Sequence, residues 1–112
     1  MDRKIVTYGG YFERFMQGLT QKEQQKVKYG LLLLKSQEKV FTRFVKYIRD
    51  GIYELRTLYN GNIFRVFFIF DHGNIVVLFN GFQKKTQKTP EREIELAIKI
   101  KESYYADKRS SD

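Results

Sequence analysis

Cysteine is missing from this chain, tryptophan is missing too, and there is one proline and one histidine. Without thiols neither a disulfide framework nor a thiolate metal site can form. A lone imidazole with no thiolate beside it gives no reason to expect a transition-metal centre, and no cofactor is expected. The single proline, Pro90, and the lack of low-complexity segments or internal repeats argue against linkers. Long apolar runs are lacking as well: the longest, Leu31 to Leu34, is far too short to span a bilayer. Met1 to Gly10 mixes Asp, Arg and Lys with two aliphatics, unlike a signal peptide, so a soluble, cytoplasmic protein with no membrane contact is expected. Negative charge is scarce: 13 Asp+Glu face 21 Lys+Arg, a formal +8. Such an excess favours nucleic acid, an acidic protein or an anionic surface, and charge does not choose among the three.

What is present fits one domain. A length of 112 residues leaves little room for a second core, and 42% hydrophobic content with ten Phe and eight Tyr is enough to fold without staples. The domain is placed at 1–106, followed by a frayed polar tail at 107–112.

Residues 4–8 read as a short strand broken by Gly9-Gly10, and Phe12, Phe15, Met16 and Leu19 recur at helical spacing. Thr20 and Glu23 form a capping box that opens a second helix with a stripe of Val27, Leu31 and Leu34. Phe41, Phe44, Val45 and Ile48 suggest a third, shorter helix ending at Asp50-Gly51. Strands at 52–59, 63–70 and 75–82 follow, separated by Asn60-Gly61-Asn62 and Asp71-His72-Gly73-Asn74, both strong hairpin signals. Thr89 as N-cap, Pro90 at the first helical position and Glu91 and Glu93 in the first turn open a last helix. The order β-α-α-α-β-β-β-α predicts an α+β domain with helices against one face of a small antiparallel sheet.

Alternation divides the strand residues between two faces. Phe64, Val66, Phe68 and Phe70 share the better core face, and Ile63, Arg65, Phe67 and Ile69 the other. Pairing Leu58 with Ile63 sets Arg65 opposite Arg56, and pairing Phe70 with Ile75 sets Arg65 opposite Asn80. The row Arg56–Arg65–Asn80 then crosses the free face, with Glu54 a diagonal step away. Arginines facing each other repel unless a carboxylate or a phosphate lies between them. Glu54 in a surface charge cluster is one reading and a phosphate-binding face is the other.

Three lysines, Lys84, Lys85 and Lys88, emerge between the last strand and the last helix. As a loop they solubilise; beside Arg56 and Arg65 they would rim a cationic cleft. An exposed aromatic, Phe67 or Phe82, would complete a single-stranded RNA site, the charges holding phosphates and the ring stacking a base.

The stretches Gly51-Ile52-Tyr53-Glu54-Leu55-Arg56, Phe64-Arg65-Val66-Phe67 and Gly81-Phe82-Gln83-Lys84-Lys85-Thr86-Gln87-Lys88-Thr89-Pro90 resemble the RelE/ParE toxin superfamily, most of all its HigB-like, phage-type branch. The resemblance covers roughly residues 3–105, and its most specific part is the Gly-Phe-x-Lys-Lys-Thr-x-Lys-Thr-Pro string. It implies helices packed on a small antiparallel sheet and a type II toxin that cleaves mRNA in the ribosomal A site. It also implies neutralisation by a cognate helix-turn-helix antitoxin. The family's phosphate-contacting strand arginine falls on Arg65, and its basic residue after the last strand falls in the Lys84/Lys85 region. The chain departs from the pattern at Ile52 and Glu54, where RelE proper has lysines. HigB-type histidines are also missing, since the lone His72 sits in a turn.

The expected activity is ribosome-dependent, metal-independent mRNA cleavage. Arg65, Lys84, Lys85 and Glu54 are the catalytic candidates, and Arg56, Lys88, Asn80 and Phe82 are the RNA-binding ones. Glu54 either positions or acts as base. A ParE-like gyrase poison and a non-catalytic RNA-binding module are the alternatives; the oligomeric state is left open.

Overall fold

The computed structural model describes residues 2–37, 43–84 and 89–111. Its elements are β1 (Lys4–Thr7), α1 (Tyr11–Gln17), α2 (Gln21–Ser36), β2 (Val45–Arg49), β3 (Ile52–Tyr59), β4 (Asn62–Asp71), β5 (Ile75–Lys84) and α3 (Glu91–Ser111). One five-stranded sheet runs in the order β1-β5-β4-β3-β2, with β1 parallel to β5 and every other pair antiparallel.

Turn chemistry sets this topology. Asn60 (φ 51°) and Gly61 (φ 77°) form a two-residue loop that pairs Tyr59 with Asn62. Two positive φ values match the strand twist of a tight hairpin, and Asn-Gly supplies them at least strain. Asp50 (φ 52°) and Gly51 (φ 80°) do the same between Arg49 and Ile52. That pair overturns the expected third helix. Phe41 lies outside the described residues, and Val45–Arg49 is an edge strand hydrogen-bonded to β3. The apolar spacing of Phe44, Val45 and Ile48 looked helical, but an Asp-Gly turn following five residues is a hairpin signal as strong as the other two. The order is therefore β-α-α-β-β-β-β-α.

Both sheet faces are covered. Met16, Val27 and Leu34 of α1 and α2 pack on Leu55, Phe64, Val66, Phe68 and Leu78, the face expected to be core. Ile94, Ala97 and Ile100 of α3 bury Ile52, Phe67, Ile69, Val77 and Phe79 on the other. The α+β class stands, with the helices divided between the faces. Phe67 is fully buried, so it is not the exposed aromatic that a stacking site would need. Burying a Phe side chain is worth about 1.5–3 kcal/mol, enough to make α3 integral to the fold.

The capping box opens α2 as anticipated. Thr20 Oγ1 accepts from the Glu23 amide at 3.2 Å, and Glu23 Oε1 accepts from the Thr20 amide at 2.8 Å. At α3 the Pro90 carbonyl accepts the first helical bond, from the Ile94 amide, while the Thr89 hydroxyl points elsewhere, to Glu54. The tail expected to fray from 107 is helical through Ser111. Its anchor is Asp71 at the end of β4, whose carboxylate accepts from Tyr104 Oη at 2.6 Å and Lys108 Nζ at 2.7 Å.

Burial alone would push the Asp71 carboxyl up, but the hydrogen bonds from Lys108 and Tyr104 outweigh it and hold the group below the usual aspartate range. Tyr104 is pushed up to about 12 by its own burial and by Asp71. A carboxylate with a depressed folded pKa adds stability above its unfolded value and loses it as pH falls through the folded one. Asp71→Asn should therefore cost about 1–2 kcal/mol in urea unfolding at pH 7. The gap to the parent should close as pH drops below the ordinary aspartate value of 3.8. A gap that persists in acid would mean that packing, not charge, anchors the helix.

Candidate functional site

The N-terminus of α3 begins only at Glu91, and beyond it the face beneath this helix carries charge instead of hydrocarbon. The register pairs Arg56 with Arg65, as alternation predicts, and Glu54 with both Phe67 and Lys46. Arg65 faces Phe82, not Asn80. Two separate one-residue shifts add up to this: at the turn Phe70 pairs with Val76 instead of the expected Ile75, and between Val66 and Phe68 an irregularity gives β5 one extra residue.

Asn80 consequently leaves the row. Its Nδ2 donates to the Glu93 carbonyl at 3.1 Å and to Glu93 Oε1 at 3.2 Å, fastening β5 to α3. Phe82 is half-buried with its ring 5.4 Å from Phe67, so only part of it is open to a ligand. His72 lies in the β4–β5 turn with φ 49°, at the far end of the hairpin, as a turn residue should. Tyr53 packs into the α1/α2 core, as expected from its face. Lys85 and Lys88 lie outside the described residues.

Three candidates do converge. Glu54 is 1% exposed, Arg65 5% and Lys84 9%. Arg65 Nη1 donates to Glu54 Oε1, and Thr89 Oγ1 donates to Glu54 Oε2 at 3.2 Å. The Arg65 Nε–H is buried with no acceptor among the described residues. Burial pushes the Lys84 ammonium below the usual lysine range; Arg65 pushes it further, Glu54 opposes, and Lys46 and Arg56 add to the lowering. Glu54 is thus the one buried carboxylate that, among the described residues, acts on Lys84 alongside the cations Arg65, Lys46 and Arg56.

Lys46 and Thr89 are the members sequence reasoning missed. Reading Asp50-Gly51 as a hairpin would have brought β2 beside Glu54 but set Tyr47 opposite it; the irregularity between Tyr47 and Arg49 is what places Lys46 there. Thr89 was assigned to a cap it does not make. Two grooves flank the cluster. One, of about 490 Å³, is lined by Arg43, Lys46, Glu54, Arg56 and Arg65; the other, of about 320 Å³, by Lys46, Lys84, Thr89 and Glu91.

A site with buried guanidinium and ammonium groups and one shared carboxylate can hold an anion. An unpaired buried donor costs free energy until something accepts from it. A group whose folded pKa is lowered, as at Lys84, opposes folding while it is protonated, and the penalty fades as pH rises from the folded value towards the unfolded 10.5. Lys84→Met should accordingly raise the urea midpoint at pH 7, with the gain vanishing above about pH 10.5. Loss of stability at pH 7 would show instead that Lys84 is held by attraction to Glu54.

Residues 14–102, about four-fifths of the chain, match the model of the phage-derived protein Gp49-like family (DUF891). The chain belongs to the Gp49-like family. That family is of the RelE/ParE type and is related to the toxins of toxin–antitoxin systems. Lys46, Glu54, Arg56, Arg65, Lys84 and Thr89 all fall inside the matched span of this Gp49-like protein. No curated protein matches the chain. Among the described residues no helix is long and apolar enough to cross a membrane.

Proposed function

We propose that this Gp49-like protein is the toxin of a type II toxin–antitoxin system, of the HigB-like branch. In this reading it acts in the cytoplasm as a ribosome-dependent mRNA endoribonuclease and is held in check by a helix-turn-helix antitoxin. The observation that carries the reading is the excess of buried positive charge at Arg65 and Lys84, with the Arg65 Nε–H lacking an acceptor. A phosphate supplies both the charge and the acceptor.

The reaction is attack by an RNA 2′-hydroxyl on the adjacent phosphorus. The P–O5′ bond breaks, leaving a 2′,3′-cyclic phosphate and a 5′-hydroxyl, and no metal or cofactor is used. The step needs a base for the 2′ proton, cations for the phosphorane charge and an acid for O5′. Arg65 suits the second role because its planar fork stays charged at any working pH. Lys84 suits proton transfer, since burial and the neighbouring Arg65 lower its pKa from the usual lysine range in the direction a proton-transfer group requires. Glu54, enclosed by Arg65 and Thr89, holds the guanidinium in place more readily than it reaches a 2′-hydroxyl. Arg56 and Lys46 add phosphate contacts around them, and the open part of Phe82 meets a base.

The test is to map mRNA 5′ ends after induction, with and without elongating ribosomes. New 5′-hydroxyl ends should appear only on translated messages. DNA breaks with an SOS response and intact transcripts would replace this reading by a gyrase poison. Salt-sensitive RNA binding without cleavage would replace it by a non-catalytic module.

A further inference from the structure

The outermost strand at one side of the sheet is β1, hydrogen-bonded to β5 alone. The Lys4 amide donates to the Asn74 carbonyl at 2.8 Å, so Lys4 and, two residues on, Val6 turn their backbone groups towards β5. The same alternation points the N–H and C=O of Ile5 and Thr7 out of the sheet, where neither residue has a backbone partner among the described residues.

Charge runs along this edge in a definite order. Lys4 is exposed and forms no ion pair among the described residues. At the strand's other end Tyr8 donates its hydroxyl to Asp107 of α3, an exposed carboxylate that likewise has no cation paired with it among the described residues. Lys4, Val6 and Tyr8 share the sheet face that α3 covers, since Val6 and Tyr8 pack on that core and Ile5 on the other. On the Ile5 side, Thr7 Oγ1 donates to Glu13 Oε2 at 2.6 Å, which again sets a carboxylate at the end of the strand.

A lysine on an edge strand commonly keeps other strands away. An edge that is positive at its start and negative at its end behaves differently. It repels a copy laid parallel to it and attracts one laid antiparallel.

We propose that β1 pairs antiparallel with β1 of a second copy of this chain, across a two-fold axis at Val6, and so joins the two sheets into one. Ile5 of each copy exchanges both backbone hydrogen bonds with Thr7 of the other, and Val6 packs on Val6 at the axis. Lys4 of each copy lies opposite Tyr8 of the other and within reach of its Asp107. The formal charge of +8 opposes association, but exposed charges are screened beyond about 8 Å at physiological ionic strength. Lys46 and Arg56 lie on β2 and β3, about 14 Å or more from this edge at about 4.8 Å per strand. That separation also leaves the charged site of each copy open in the dimer. So short an edge makes a contact below the standard interface size, and the dimer is accordingly weak and concentration-dependent.

The experiment is sedimentation equilibrium of the purified full chain from low micromolar to submillimolar concentration, with amide hydrogen exchange at both ends of the range. The mass should rise from monomer to dimer. The Ile5 and Thr7 amides should gain protection at high concentration, while those of Lys4 and Val6, already bonded to β5, change little. Lys4→Glu sets like charges opposite each other and should weaken the dimer by about tenfold or more. Its urea midpoint at low concentration should match the parent, because Lys4 is exposed. The swap Lys4→Glu/Asp107→Lys should restore the dimer, a rescue that a merely misfolded variant would not give. Ile5→Pro, which deletes an outward N–H, should abolish it. A chain that stays monomeric throughout would overturn the proposal. So would a dimer indifferent to Lys4→Glu, or one whose Ile5 and Thr7 amides exchange equally at both concentrations. None of these readouts depends on the charged site, so the dimer and the nuclease reading stand or fall separately.

Discussion

Arg65→Lys should abolish growth inhibition and reduce translation-dependent mRNA ends by about 10²–10³-fold, while the protein remains folded. Lysine keeps a positive charge against Glu54, which Arg65 bonds through Nη1 alone. It lacks the planar fork and therefore the Nε–H that is buried without an acceptor. The substitution removes the group thought to meet the phosphate and spares the one that meets the carboxylate. Arg65→Ala is a poorer probe, because it would leave Glu54, 1% exposed, as an uncompensated buried charge. The measurement is 5′-end mapping alongside a urea melt of the purified variant. Full toxicity in Arg65→Lys would sink the assignment of Arg65 to the scissile phosphate.

Glu54→Gln should be the most destabilising single change in the site, by about 3–5 kcal/mol. It strands two buried cations, Arg65 and Lys84, with no carboxylate between them. Domains of this size are typically stable by about 5–15 kcal/mol, so a large share of the folding free energy would be lost. Adding phosphate should restore part of the urea midpoint in Glu54→Gln, since an anion bound by the native state alone stabilises it by mass action. The double variant Glu54→Gln/Arg65→Met should recover much of the loss without any added anion, because it removes the stranded charge. If phosphate restores nothing, the cluster is a structural ion pair and not an anion site.

Much of this arrangement was legible in the residues. The Arg56–Arg65 pairing followed from an Asn-Gly turn whose backbone demands leave one register. The Thr20–Glu23 box fixed the start of α2 to the residue. Asn80 was misplaced along the row because the β4–β5 turn sets Phe70 opposite Val76 and because β5 then carries an inserted residue, a bulge that nothing in Phe79-Asn80-Gly81 announces. Gly81 fits one in hindsight: a Cβ there would fall 2.5 Å from the Phe15 ring, so the strand needs a glycine where α1 presses on it. The third helix failed for a different reason. Apolar spacing over so few residues suits a helix or an edge strand equally, and the deciding signal was the Asp50-Gly51 turn at its end. The burial of Glu54 was not legible at all. It depends on Thr89 reaching back across 35 positions from the start of α3.

The parallel pairing of β1 with β5 also bears on the order of assembly. Lys4 to Thr7 bond to Ile75 to Leu78, about 70 positions away, while the β3–β4 hairpin closes through two residues. Local hairpins form in microseconds, whereas distant strand pairs must first overcome the entropy of a long loop. Glu54 and Arg65 can therefore meet early in the life of a nascent chain. Lys84, at the end of β5, and the helix that closes the second face come last. A polypeptide emerging from a ribosome would hold Lys46, Glu54, Arg56 and Arg65 before Lys84 and Thr89 are made, so the charged cluster is complete only when synthesis is nearly done.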